Sequence, residues 1–284
     1  MKHFLVPIEI VLAIIVSLML AVGCSGQTFG SFVHDQPFLA ADTAGGGLIP
    51  TANLWLWLKP ESITGTNGAA LANWPDSSGN GHYGTRLNGV TDLPLVTNDC
   101  VAGFSAAMFT SSTDGLALTN TKAFTRNQTG NTLFVYMRFG TLGDVILDSQ
   151  QGAGGSSRLK FSHFSLSTGA VRGCRVDGGA FANSDPFTMT TGWVLYTVRV
   201  TWSSATAMVR TNGVLALLDE TFSTAGATSD TDQTTESSLG CDYYGNNSIR
   251  NSEIAEVIYY RGALSDSDVT TIESYFSTKY ALGW

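Results

Sequence analysis

Leu54-Trp55-Leu56-Trp57-Leu58 places five large apolar side chains in a row, stopped by Lys59-Pro60. Successive side chains on a strand point to opposite faces, so this run reads as a strand that is apolar on both. From residue 52 onward β signals dominate. Further strands are expected at 70–74, 106–110, 132–139, 144–148, 158–163, 193–202, 207–211 and 253–260. Turn clusters separate them: Asp76-Ser77-Ser78-Gly79-Asn80-Gly81, Gly152-Ala153-Gly154-Gly155 and Asn212-Gly213. Asn-Gly marks a hairpin because both residues tolerate positive φ. Many short strands with regular turns predict an all-β, two-sheet antiparallel jelly-roll sandwich. A short C-terminal helix is expected after Ser265, which can cap it with Asp268 at the third position. Val269, Ile272, Phe276 and Tyr280 then form one apolar stripe, suited to docking on the sandwich.

The chain has 284 residues, enough for one large domain with a sizeable core. Charged residues make up only 13%, so Ser, Thr, Asn and Gly must build the surface, as in many extracellular β proteins. The net charge is −8 and no basic cluster exists to neutralise phosphates, which excludes nucleic acid as a partner.

Residues 1–24 read as a signal peptide or N-terminal membrane anchor. The run 10–22 is apolar apart from Ser17, which suits a secretory core and is short for a spanning helix. Leu20-Ala21-Val22-Gly23-Cys24 resembles a bacterial lipobox, making Cys24 a lipidation candidate; ordinary cleavage nearby, with Cys24 incidental, is the alternative. Glu9 at the edge of the run would cost roughly 2.5–3.5 kcal/mol at a bilayer centre. Residues 25–51, with Gly45-Gly46-Gly47 before Pro50, read as a polar tether, and 52–284 as the folded domain. These features imply a secreted or cell-surface protein of a bacterial outer or cell membrane, touching the membrane only through its N-terminal segment.

Three segments in order resemble the laminin-G-like branch of the concanavalin A-like lectin/glucanase superfamily. The first is Leu54 to Pro60 followed by Trp74-Pro75-Asp76-Ser77-Ser78-Gly79-Asn80-Gly81-His82. The second is the run from Trp193 to Val200 followed by Asn212-Gly213-Val214. The third runs from Ile254-Ala255-Glu256-Val257 through Tyr259-Tyr260-Arg261-Gly262 to Ser265-Asp266. The resemblance covers roughly 52–284. It implies a jelly roll that binds carbohydrate or protein outside the cell. It also implies possible Ca²⁺, with Asp76 and the Asn80 carbonyl as hard oxygen ligands and Glu256 as a weaker third. The alternative for the Asp76 turn is a structural one, its carboxylate accepting backbone N–H groups while Gly79 and Gly81 take positive φ.

The same superfamily contains glycoside hydrolases, and a retaining one needs two carboxylates about 5–5.5 Å apart. On a regular strand Glu253 and Glu256 would face opposite sides. Asp144 and Asp148 could share a face, but about 13–14 Å apart. The four histidines (His3, His34, His82 and His163) are scattered, and neither a His-Glu-x-x-His helix nor a Gly-x-Ser-x-Gly elbow is present. The expectation is a domain without catalysis.

Cys100, Cys174 and Cys241 follow the N-terminal segment. Cys174 and Cys241, both Gly-flanked, are the first choice for a disulfide; three reduced buried thiols are the alternative. Sugar binding pairs exposed aromatic faces with amide and carboxylate groups. Asp242-Tyr243-Tyr244 with Asn246 has that composition, and His82-Tyr83 is a second candidate. The alternative is that one tyrosine packs inward and the other caps the sheet edge. Trp55, Trp57, Trp74 and Trp193 are expected in the core. The leading expectation is a non-catalytic, lectin-like module for a glycan or surface component. A structural or adhesive protein that self-associates comes second, and a hydrolase third.

Overall fold

The computed structural model describes residues 39–40, 48–87, 92–140, 145–150, 157–165 and 168–284. The expected strands recur, with others between them. In chain order they begin with β1 (Leu39–Ala40), β2 (Ile49–Pro50), β3 (Leu54–Leu58), β4 (Asn73–Trp74), β5 (Gly84–Arg86), β6 (Leu95–Val101) and β7 (Phe104–Phe109). They continue as β8 (Leu116–Leu118), β9 (Gly130–Phe139), β10 (Val145–Gln150), β11 (Ser157–Ser165), β12 (Thr168–Gly173) and β13 (Ala182–Asn183). The last are β14 (Phe187–Thr188), β15 (Gly192–Thr201), β16 (Thr206–Thr211), β17 (Val214–Asp219), β18 (Ser237–Leu239) and β19 (Ser252–Arg261). Helix α1 (Asp266–Lys279) follows, and Ser265 caps it by accepting the Asp268 N–H at 3.1 Å.

Two antiparallel sheets form the sandwich. One has nine strands, in the order β13-β12-β11-β10-β18-β8-β5-β4 with β14 beside β12. The other has eight, in the order β17-β16-β15-β9-β19-β7-β6 with β3 also paired to β19. Between the sheets lies the main core, to which Leu56, Leu58, Trp74, Phe109, Val135, Phe161, Val198 and Tyr259 contribute. A second core fills the space between the eight-stranded sheet and α1. It includes Trp57, Phe134, Tyr136 and Ile258 from the sheet side, and Val269, Ile272 and Phe276 from the helix. The Leu54–Leu58 strand is apolar on both faces because it serves both cores. The hairpin at Asn212-Gly213 joins β16 to β17 with φ of 49° and 75° at its two residues.

In β3 and β19 an extra residue breaks the strand alternation. In β3, Leu54 pairs with Tyr260 and Leu56 with Tyr259, so Trp55 is inserted. In β19, Ile254 pairs with Met137 and Glu256 with Tyr136, so Ala255 is inserted. Both insertions matter for the buried polar groups described below.

Folded structure starts before residue 52. β1 pairs with β2, Ile49 is buried in the helix-side core, and the Tyr260 hydroxyl donates to the Pro50 carbonyl at 2.6 Å. The segment 25–51 is therefore not a tether throughout. The expected targeting segment 1–24, Cys24 included, lies outside the described residues, as do Asp144 and the Gly152–Gly155 cluster. Among the described residues no helix is long and apolar enough to cross a membrane.

Candidate functional site

The Asp76 turn is a structural clamp. The Asp76 carboxylate accepts the backbone N–H groups of Trp57 and Ser78 at 2.9 Å and of His82 at 3.0 Å, plus the Ser78 hydroxyl at 2.7 Å. Asn80 turns its side-chain NH₂ onto the Leu54 and Trp55 carbonyls. Asp76 and Asn80 thus fasten the turn onto β3. His82 is buried, stacks on the Trp55 ring at 4.8 Å between centroids and bonds the Thr119 carbonyl at 3.1 Å through Nδ1. Burial lowers its pKa, against smaller opposing effects from Thr119 and Asp76. His82 is a core group and not a ligand-facing one.

Glu256 lies under the C-terminal helix, fully buried. Its carboxylate accepts from Trp57 Nε1 at 2.6 Å, Tyr275 OH at 2.7 Å and Tyr280 OH at 2.7 Å, and pairs with Lys279 Nζ at 3.0 Å. Lys279 also meets Glu61 at 2.9 Å. Asp76 and Glu256 therefore hold different parts of Trp57, its backbone amide and its indole. The Asp76 and Glu256 carboxylates each accept several protein donors, and Asn80 donates its side-chain NH₂ to β3. Among the described residues no group of three or more His, Cys, Asp or Glu side chains could hold a metal.

The insertion at Ala255 also changes the carboxylate geometry. Glu253 pairs with Arg138 and Glu256 with Tyr136, two residues apart on β9, so both glutamates share the helix-side face. The expectation of opposite faces fails because the strand is not regular. Glu253 is nevertheless tied to Arg138 at 2.6 Å, and Glu256 is sealed in the core.

The expected Cys174–Cys241 disulfide does not form: the two thiols pack in different places, and no disulfide joins the cysteines of the described residues. Cys174 is wedged in its own turn, with Sγ against the Val176 and Gly179 carbonyls. Cys241 packs elsewhere, with Leu87 and Ala117 on the outer side of the nine-stranded sheet. Burial pushes the Cys100 thiol up to about 11, with Glu253 adding to the shift, and raises the Cys241 thiol as well.

Cys241 leads to a loop where predicted ligand residues meet an open concavity. Gly115 makes its seat possible: a Cβ there would lie 2.0 Å from Cys241 Sγ. Gly240, at φ 81°, similarly clears the Phe109 ring, which would otherwise sit 2.0 Å from its Cβ. Beyond Cys241 the Asp242 carboxylate accepts the N–H groups of Tyr244 at 3.0 Å and Asn246 at 2.8 Å, and the Asn247 side chain at 2.8 Å. That folds the loop around one buried carboxylate and presents two tyrosines. Their ring centroids are 3.6 Å apart, and Tyr244 is 60% exposed. Neither ring enters the core clusters.

The tyrosines flank an open groove of about 500 Å³. Thr85, Leu87, Ala117 and Thr119 come from the β5 and β8 region, and Arg86, Lys122, Thr234, Thr235 and Glu236 complete the lining. Its far wall is two loops stitched together: the Gln233 N–H donates to the Lys122 carbonyl at 2.7 Å, and Glu236 accepts the Thr121 N–H at 2.6 Å. Of the six ligand residues expected from sequence, Tyr243 and Tyr244 line the groove. Asp242 positions them, Asn246 is exposed on the same loop, and Tyr83 is exposed without lining the groove. Sequence reasoning missed Thr85, Arg86, Thr119, Lys122 and Glu236. These sit on separate segments, and only the pairing of β5 and β18 with β8 brings them together.

No protein-family model matches the chain, and no curated protein matches it in sequence. Solved structures do match its fold. Trypanosoma rangeli sialidase in complex with the inhibitor DANA is 13% identical, with 83% of this chain and 35% of that chain covered and a TM-score of 0.53. The receptor binding domain of botulinum neurotoxin D is 14% identical over 78% of this chain and 52% of that one, with a TM-score of 0.54. The binding domain of Paraclostridial Mosquitocidal Protein 1 is also 14% identical, over 79% of this chain and 52% of its own, at 0.55. The chain spans about a third to a half of the length of these proteins. At such identities the similarity is one of fold: this chain folds as an antiparallel β-sandwich.

Proposed function

We propose that this protein is a non-catalytic, glycan-binding module of the laminin-G-like kind, exported and held at a bacterial surface through its N-terminal segment. One observation carries the proposal: a tyrosine pair, Tyr244 exposed and Tyr243 half-buried, stands beside hydroxyl, amine, guanidinium and carboxylate groups in one open groove. Aromatic faces cover the apolar C–H surface of a sugar ring while polar groups meet its hydroxyls. The fold neighbours include a sialidase and a botulinum neurotoxin type C whose cell entry depends on interaction with two ganglioside molecules. Glu236 is the sole carboxylate lining the groove, and it is engaged by Thr121. Paired-carboxylate hydrolysis therefore has no support there. A glycan array probed with the full-length protein tests the proposal: saturable binding to a defined subset of glycans is expected, and binding to none overturns it.

A second reading, adhesion through self-association, is favoured by β17. This strand ends the eight-stranded sheet and exposes Val214, Leu215 and Leu218 by 70%, 54% and 52%. An exposed apolar edge invites pairing with another strand. Sedimentation across a wide concentration range decides it, since a protein that stays monomeric has no such contact.

A further inference from the structure

The groove differs in charge from the molecule that carries it. The chain holds 23 acidic against 15 basic residues. Yet the groove is lined by Arg86 and Lys122 against the single carboxylate of Glu236. That carboxylate is occupied on the wall, accepting the Thr121 N–H at 2.6 Å and its hydroxyl at 3.1 Å. Lys122 and Arg86 have no ion-pair partner among the described residues.

The sheet register extends this pattern beyond the groove. Thr85 pairs with Ala117, Ala117 with Ser238, Ser238 with Asp148, Asp148 with Lys160, Lys160 with Arg172, and Arg172 with Asn183. The flanking row of Leu116, Leu239, Leu147, Phe161 and Val171 points into the sandwich, so this row faces away from the main core, with Ala117, Ser238 and Asp148 in it still buried. It runs from the groove floor across seven strands. Lys160 sits 3.7 Å from the buried Asp148 carboxylate. Arg172 is only half-buried, donates to Asn183 Oδ1 at 2.6 Å, and lies over the Phe181 ring. Along groove and row together there are four cations and two carboxylates, and both carboxylates are already engaged.

Resting on the reading of this groove as the glycan site, we propose that its ligand is an anionic saccharide, one carrying carboxylate or sulfate groups. Two cations in an open groove whose one carboxylate is already engaged by Thr121 are complementary to a ligand that brings its own negative charge. A neutral sugar would leave that complementarity unused.

The test uses full-length protein and matched probes: a uronic-acid oligosaccharide with its carboxyl-reduced counterpart, and a sulfated oligosaccharide with its desulfated one. At least one acidic member should bind about tenfold or more tighter than its neutral partner. The double variant Arg86→Gln/Lys122→Gln should lose that preference, its acidic-to-neutral affinity ratio falling to about one, while its melting temperature stays unchanged. Arg86→Lys/Lys122→Arg should retain it. Equal binding of charged and neutral members, or an unaltered preference in the Gln variant, overturns the anionic inference and leaves the glycan reading intact. Binding to no saccharide at all overturns both.

Discussion

The Asp242 carboxylate accepts the Tyr244 backbone N–H at 3.0 Å, and this bond fixes where the exposed tyrosine stands. The same carboxylate holds Asn246 and Asn247, so one buried side chain shapes the whole aromatic loop. Asp242→Ala should therefore reduce glycan affinity about tenfold or more while lowering stability by only about 1–3 kcal/mol, the range for removing one buried acceptor. Affinity and thermal melting, measured on the same preparation, check both halves. Unchanged affinity would show that the loop's position is irrelevant to binding.

Under the helix the balance is reversed, because the polar groups there are wholly enclosed. Glu256→Gln leaves Lys279 buried with one carboxylate fewer and replaces a four-way acceptor with a weaker one. Removing one partner of a buried pair typically costs about 3–5 kcal/mol. Chemical denaturation should show a loss of about that size, with glycan binding retained below the transition. A loss under about 1 kcal/mol would mean that the helix is not held by this network.

His82 should titrate below its ordinary value of 6.5, because burial against Trp55 penalises the imidazolium. The unfolded chain then takes up the proton first. The stability that His82 contributes is complete above 6.5 and declines as the pH falls toward the folded-state pKa. An NMR titration of the imidazole signals checks this directly, and a value at or above 6.5 contradicts it.

The thiols should be inert in the folded protein. Cys174 and Cys241 are buried, and the Cys100 pKa stands near 11, so little thiolate exists at neutral pH. A thiol reagent should label none of the three quickly under native conditions and all three after denaturation without reductant. A missing pair of equivalents in the denatured sample would reveal the disulfide that the structure lacks.

Much of the fold was legible because its signals are local. The apolar run at Leu54–Leu58, the Asn212-Gly213 hairpin and the Ser265 cap each announce themselves over a few residues. Tyr243 and Tyr244 were visible for the same reason, as a composition in a loop. Inserted residues were not: nothing around Ala255 marks the extra residue that turns Glu253 and Glu256 to one face. His82 looked like a surface group because its polar turn hides that Trp55 and Phe124 enclose it. Lys122 and Glu236, over a hundred residues apart, reach one groove only through long-range strand pairing.

The most direct measurement compares full-length wild type with Tyr243→Ala/Tyr244→Ala on one glycan array, with melting curves for both. The tyrosines lie outside the core clusters, so the melting temperatures should agree closely. Wild type should bind a defined set of glycans, and the variant should lose that binding. Equal binding by the two proteins would place the glycan site elsewhere and contradict the account given of this groove.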